Sequence, residues 1–125
     1  MESHIQKALE TDRTIDITTI GRKSGQPRRI EIWYHHIGGK FYITGIPGPR
    51  SWYANVLKNP EFTFHLKGSA QADLPARATP ILDEAPRREI LKGILANIAD
   101  DLQQADAELE KWVAKSPLVE ITFLD

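Results

Sequence analysis

The densest set of chemically capable side chains is Gly21-Arg22-Lys23-Ser24-Gly25-Gln26-Pro27-Arg28-Arg29. Four cations fall between positions 22 and 29 of a chain whose formal net charge is only -1. The two glycines let the backbone turn tightly and expose N–H groups, which with the side chains can surround a phosphate. Arginine adds planar, bidentate recognition of phosphate oxygens. A charge-assisted hydrogen bond contributes about 1.5–3 kcal/mol, whereas an exposed ion pair contributes about 0–1 kcal/mol. A phosphorylated ligand therefore accounts for the cluster better than surface pairing does. The segment is not a nucleotide P-loop, because four residues do not separate its first glycine from a Gly-Lys-Ser/Thr end and no helix follows. Spacing alone leaves a second reading open, a solvated hairpin loop whose cations keep a sheet edge soluble.

A second group is Ser51-Trp52-Tyr53-Ala54-Asn55-Val56-Leu57-Lys58-Asn59-Pro60. Ser51 is the expected cap of a short helix over 52–58, which Asn59-Pro60 stops. The start of a helix carries unpaired N–H groups and partial positive charge, so it attracts anions. An indole beside it can pack against a flat ring. Val56 and Leu57 belong to the packing face. For Trp52 and Tyr53, spacing leaves core and ligand roles open.

Other chemistries lack their residues. There is no cysteine, which excludes thiolate catalysis, iron–sulfur clusters and cysteine-based zinc sites. His35 and His36 are neighbours on a predicted strand, point to opposite faces and cannot chelate one metal. His4 and His65 are isolated, so no metal site is predicted. No Gly-x-Ser-x-Gly elbow is present. Asp100, Asp101, Asp106 and Glu108 read as a solvated helix face and loop rather than a catalytic carboxylate pair. Sixteen basic residues balance 17 acidic ones, which gives no general attraction to nucleic acid or anionic membrane. The first residues, Met1-Glu2-Ser3-His4-Ile5-Gln6, lack the cationic start and apolar run of a secretion signal. No apolar stretch is long enough to span a bilayer. The expectation is a soluble cytoplasmic protein acting on a small molecule.

The elements that must position these groups follow from periodicity. A helix is predicted over 3–10, with Ile5, Ala8 and Leu9 on one side. Ile15, Ile17 and Thr19 alternate as a first strand, and residues 28–37 form a second, with Ile30, Ile32 and Tyr34 on one face. Gly38-Gly39 signals a hairpin into a third strand over 40–44. The proline- and glycine-rich 45–50 is a stiff loop. Phe62, Phe64 and Leu66 mark a fourth strand, and a fifth covers about 70–81. Asp83 can cap a longer helix carrying Ile90, Ile94, Ile98 and Leu102 beside Leu91 and Leu95. Leu109, Trp112 and Val113 lie on another helix, ended by Pro117, and 118–124 is a sixth strand. With 125 residues, no linker and no repeat, one domain over 1–125 is expected. Hairpins dominate and helices enter late, so the class is α+β, not a doubly wound parallel sheet. The architecture expected is a six-stranded, mostly antiparallel closed or split barrel with helices packed on its openings.

Thr19-Ile20-Gly21-Arg22-Lys23-Ser24-Gly25-Gln26-Pro27-Arg28, then a Gly-Gly hairpin, then Ser51 to Pro60, resembles the deazaflavin-dependent nitroreductase and quinone reductase family. The terminal Ser116-Pro117-Leu118-Val119-Glu120-Ile121 fits its closing strand. The resemblance implies the flavin-binding split β-barrel, related to pyridoxamine-phosphate oxidases, and a bound deazaflavin, coenzyme F-420. It implies that Arg22, Lys23, Ser24, Gln26, Pro27 and Arg28, with Gly25 shaping the loop and Arg29 as an additional candidate, grip the phosphate and polar tail. Ser51, Trp52, Tyr53 and Asn55 would line the pocket near the ring system. The implied reaction passes hydride to a quinone, nitro compound or activated alkene. Relatives on this barrel use FMN, which is the alternative cofactor. Some members carry C-terminal tyrosines that help bind or protonate a substrate. Here that region offers only Trp112 before Phe123, and the proton donor is unassigned. Barrels of this superfamily often pair, so a homodimer fits the resemblance, although no segment marks an interface. A non-catalytic cofactor carrier and a nucleic-acid binder are the contrasting classes. Failure of the reduced, loaded protein to pass electrons to any acceptor marks the first, and steep salt dependence marks the second.

Overall fold

Alternating apolar residues fix the strands that carry the barrel. Ile15 and Ile17 point inward from Thr14–Ile20 (β1), and Phe62, Phe64 and Leu66 from Glu61–Lys67 (β5). The computed structural model describes residues 1–98 and 102–124. Its other elements are α1 (Ser3–Thr11), β2 (Pro27–Trp33), β3 (His35–Ile37), β4 (Lys40–Thr44), α2 (Ser51–Lys58), β6 (Gln71–Pro80), α3 (Glu84–Ile98), α4 (Leu102–Lys115) and β7 (Leu118–Phe123). The strands form one sheet in the order β2-β1-β5-β6-β7-β4-β3, with every neighbouring pair antiparallel.

The sheet has seven strands rather than the expected six, because the strand expected over 28–37 is broken at Tyr34. The cause is tertiary. The Tyr34 backbone N–H donates to the Arg13 carbonyl at 3.0 Å. Its hydroxyl donates to the carbonyls of Leu9 at 2.8 Å and Ala8 at 3.2 Å. These lie near the end of α1, where helix carbonyls lack partners within the helix. Pinned there, Tyr34 takes the chain out of one ladder and into another. β2 and β3 are one residue apart in sequence yet occupy opposite ends of the strand order. The sheet must therefore curl until its two edges approach each other.

The curl encloses one core, in which Ile15, Ile17, Tyr34, Phe64 and Val119 are almost fully buried. Tyr34 and Phe64 meet edge to face with ring centroids 5.1 Å apart. A second core lies between α3, α4 and the sheet, built from Leu91, Ile94, Leu95, Trp112 and Val113 against Tyr42 and Leu118. Trp112, the one aromatic expected near the C-terminal region, is thus 7% exposed and part of this core. Helix α3 is described to Ile98 and α4 from Leu102, so the expected continuation of one helix through Leu102 falls on residues outside the described ones. Asp100 and Asp101, expected on a solvated face, lie outside the described residues, while Asp106 is exposed. No described helix is long and apolar enough to cross a membrane.

Candidate functional site

The basic loop between β1 and β2 is a closed turn. Gly21 N–H donates to the Gln26 carbonyl at 2.8 Å, and Gly25 N–H to the Gly21 carbonyl at 2.9 Å. Gly25 has φ +69°, a conformation that a side chain would strain. A Cβ at Gly21 would lie 2.5 Å from Ser24 Oγ. That hydroxyl accepts from the Gln26 N–H at 3.2 Å and from Arg28 Nη2 at 3.4 Å. Ser24 thus holds the turn shut and steers the Arg28 side chain.

Helix α2 is bolted to this loop through Asn55, which is 4% exposed. Asn55 Oδ1 accepts from the Arg22 backbone N–H at 3.0 Å, and Asn55 Nδ2 donates to Thr19 Oγ1 at 3.1 Å. Lys58 Nζ donates to the Arg22 carbonyl at 2.9 Å. The helix begins at Ser51, with Arg50 in the capping position and no side-chain cap bond. Ser51 is therefore the first helical residue rather than the cap. Its first-turn N–H groups lack acceptors within the helix.

Between loop and helix start lies a cleft of about 350 Å³. Arg22, Lys23, Ser24 and Arg28 line one side, and Ser51, Trp52 and Asn55 the other. Thr19, Gly21 and Ile30 complete it. Among the described residues, Arg22, Lys23 and Arg28 have no carboxylate within ion-pair distance. The fourth cation, Arg29, is not brought to the cleft. It faces the other side of β2, where Nε bonds Asp16 Oδ2 at 3.0 Å. Lys67 bonds the same aspartate at 2.6 Å, and the two cations hold the Asp16 carboxyl below its usual range. Gln26 and Pro27 shape the turn without lining the cleft.

Tyr53 is placed differently from its helix neighbours. It is half-buried and lines a second, larger cleft of about 770 Å³ with Pro49, Leu82, Arg87 and Ser116. Trp52 and Tyr53 meet edge to face at 5.7 Å, so α2's first turn separates the two clefts. The predicted site residues lack Thr19 and Ile30 of the first cleft and, Tyr53 apart, the lining of the second. Ile30 was legible in principle, since residues two apart on a strand share a face and Arg28 lies two before it. Nothing local flags the second cleft, which joins segments distant in the chain.

The sequence over residues 1–114 matches the model of the F-420H(2)-dependent quinone reductase family. The chain belongs to that family. Its cofactor is the deazaflavin coenzyme F-420, and it is an F-420-dependent oxidoreductase. No curated protein matches the sequence. Solved structures share the split-barrel fold at low identity. A conserved hypothetical protein of Mycobacterium tuberculosis has a TM-score of 0.79 and 17% identity, over 100% of this chain and 81% of the other. A putative pyridoxamine 5'-phosphate oxidase of Listeria innocua has a TM-score of 0.68 and 15% identity, over 97% of this chain and 91% of the other. A structure described as an F-420 reductase has a TM-score of 0.61 and 14% identity, over 100% of this chain and 96% of the other. The first cleft suits the phosphate end of this cofactor. Three cations without carboxylate partners line it beside a closed glycine turn and the start of α2, a lining whose chemistry fits an anionic tail.

Proposed function

We propose that this F-420-dependent oxidoreductase passes hydride to a quinone, with nitro compounds and activated alkenes as related acceptors, and that the loop–helix cleft holds the cofactor's phosphate. The observation that carries this reading is the division of the four loop cations. Three line the cleft without a carboxylate, while the fourth is paired on the opposite face. A loop made only for solubility gives no reason for three cations without carboxylate partners to line one cleft. The bound deazaflavin supplies the hydride. The protein supplies the rest: Arg22, Lys23 and Arg28 bind the anionic tail, Ser24 and Asn55 keep the loop in shape, and the Trp52 indole offers a flat apolar wall. Tyr53, beyond the same helical turn, lines the second cleft. The reading places the enzyme in the cytoplasm as a single cofactor domain over 1–125, and neither point is needed for the binding chemistry.

Titration of the protein with coenzyme F-420, and with FMN in parallel, tests this. Lys23→Ala and Arg28→Ala should each weaken F-420 binding by about tenfold to a hundredfold, the loss of one charge-assisted bond. Arg29→Ala should change it by less than about threefold, because an exposed pair contributes little. Equal damage from all three variants, or none from any, contradicts the phosphate role. Tighter binding of FMN than of F-420 contradicts the cofactor assignment of this cleft.

A further inference from the structure

Helix α2 meets the basic loop along one edge. Asn55 and Lys58 are three residues apart and share a helix face. Both bond Arg22. Asn55 Oδ1 accepts from the Arg22 N–H at 3.0 Å, and Lys58 Nζ donates to the Arg22 carbonyl at 2.9 Å. Arg22 thus has both of its backbone groups held by the helix.

The use made of Lys58 is unusual. Lys40, Lys67 and Lys111 each lie within ion-pair distance of a carboxylate, whereas among the described residues Lys58 has none within that distance. A cation in the last turn of a helix can offset the partial negative charge of that helix's own end. The bond of Lys58 goes instead to a carbonyl 36 residues back in the chain. That carbonyl belongs to the planar peptide joining Arg22 to Lys23, so whatever holds its oxygen orients the unit from which both side chains leave. The bonds that close the turn, Gly21 N–H to Gln26 and Gly25 N–H to Gly21, do not involve this peptide. Among the described residues, Lys58 is the one partner of its oxygen, and its Lys23 N–H has none.

Arg22 and Lys23 are two of the three cations that line the first cleft without a carboxylate. Like charges in one turn repel each other and favour a spread loop. Ordering them only when an anion arrives subtracts from its affinity, so a site that binds well holds them in place beforehand. We propose that Lys58 is a positioning residue for the anionic ligand of this cleft: through the Arg22 carbonyl its ammonium holds the Arg22–Lys23 peptide so that both side chains stay on the cleft. Lys58 itself does not line the cleft. The ligand's identity rests on the function proposed above.

Fluorescence titration with coenzyme F-420, and with the same deazaflavin lacking its phosphate-bearing tail, tests the role. Lys58→Met removes the ammonium, and Lys58→Arg keeps a cationic N–H donor. Lys58→Met should weaken F-420 binding by about fivefold to tenfold, the worth of one hydrogen bond, and leave the tail-less ligand within about twofold. Lys58→Arg should restore affinity to within about twofold of the parent. In a Lys23→Ala background, Lys58→Met should cost less than about threefold, because part of what it positions is already gone. A lysine that only added to the positive field around the loop would cost the same in both backgrounds. No loss, an equal loss for the tail-less ligand, no rescue by arginine, or the same cost in both backgrounds overturns the proposal. A parent that binds the two ligands equally removes the phosphate reading and this inference with it. A parent that prefers intact F-420, with a Lys58→Met variant that prefers it as strongly, removes this inference alone.

Discussion

Arg28 and Arg29 are adjacent in sequence and separated in role. On a strand, successive side chains leave opposite faces, so the cleft can receive only one of them. The argument that separates His35 from His36 applies equally here, and the sequence contained the signal that Arg29 would turn away. Of those histidines, His36 is exposed and stacked on Phe41 at 4.5 Å, whereas His35 is 8% exposed. Burial, aided by the Arg13 cation, pushes the His35 pKa down from 6.5 to about 4. Its neutral form is therefore favoured in the folded state, while the unfolded chain takes up a proton below 6.5. Stability that is full above pH 6.5 falls as pH drops towards 4, by on the order of 3 kcal/mol across that window. Urea midpoints measured from pH 7 to pH 4 should fall steeply for the parent and much less for His35→Gln. Identical slopes for the two proteins contradict the account.

At the scale of elements, the site depends on how loop 21–26 is fixed to α2. The resemblance puts Asn55 in the lining of the cofactor pocket; in the structure it lines the first cleft, and both ends of its amide also join Arg22 and Thr19. Sequence reasoning could identify the helix, since Trp52 and Val56 are four apart and both buried. It could not identify the bolt, because an asparagine gives no sign of which backbone it will meet. Asn55→Leu leaves the Arg22 N–H and the Thr19 hydroxyl unpaired and should cost about 1–3 kcal/mol of stability. Cofactor affinity should fall with it, because the loop is no longer held. A stability loss measured by urea denaturation with no change in F-420 affinity contradicts that coupling. The break at Tyr34 was hidden for a similar reason. Ile30, Ile32 and Tyr34 alternate without interruption, and no glycine or proline marks the end of the strand. The bonds that end it come from Arg13 and from α1.

For the whole molecule, local pattern sufficed where the physics is local. The hairpins, the helix boundaries at Pro60 and Pro117 and the inward faces of β1 and β5 follow from alternation and from turn residues. What pattern could not supply was closure. The placement of β2 and β3 at opposite ends of the strand order, the second core beneath α3 and α4, and the cleft around Ser116 all arise from contacts between distant segments. The same closure sets α2 with its first turn between two clefts, the first of them lined by three cations without carboxylate partners. The most direct test of the cationic side compares two ligands on the parent protein: intact coenzyme F-420 and the same deazaflavin without its phosphate-bearing tail. The intact cofactor should bind at least about a hundredfold more tightly, and most of that gap should vanish in the Lys23→Ala/Arg28→Ala double variant. Equal affinity of the parent for both ligands would show that the cations near residue 22 serve something other than a phosphate.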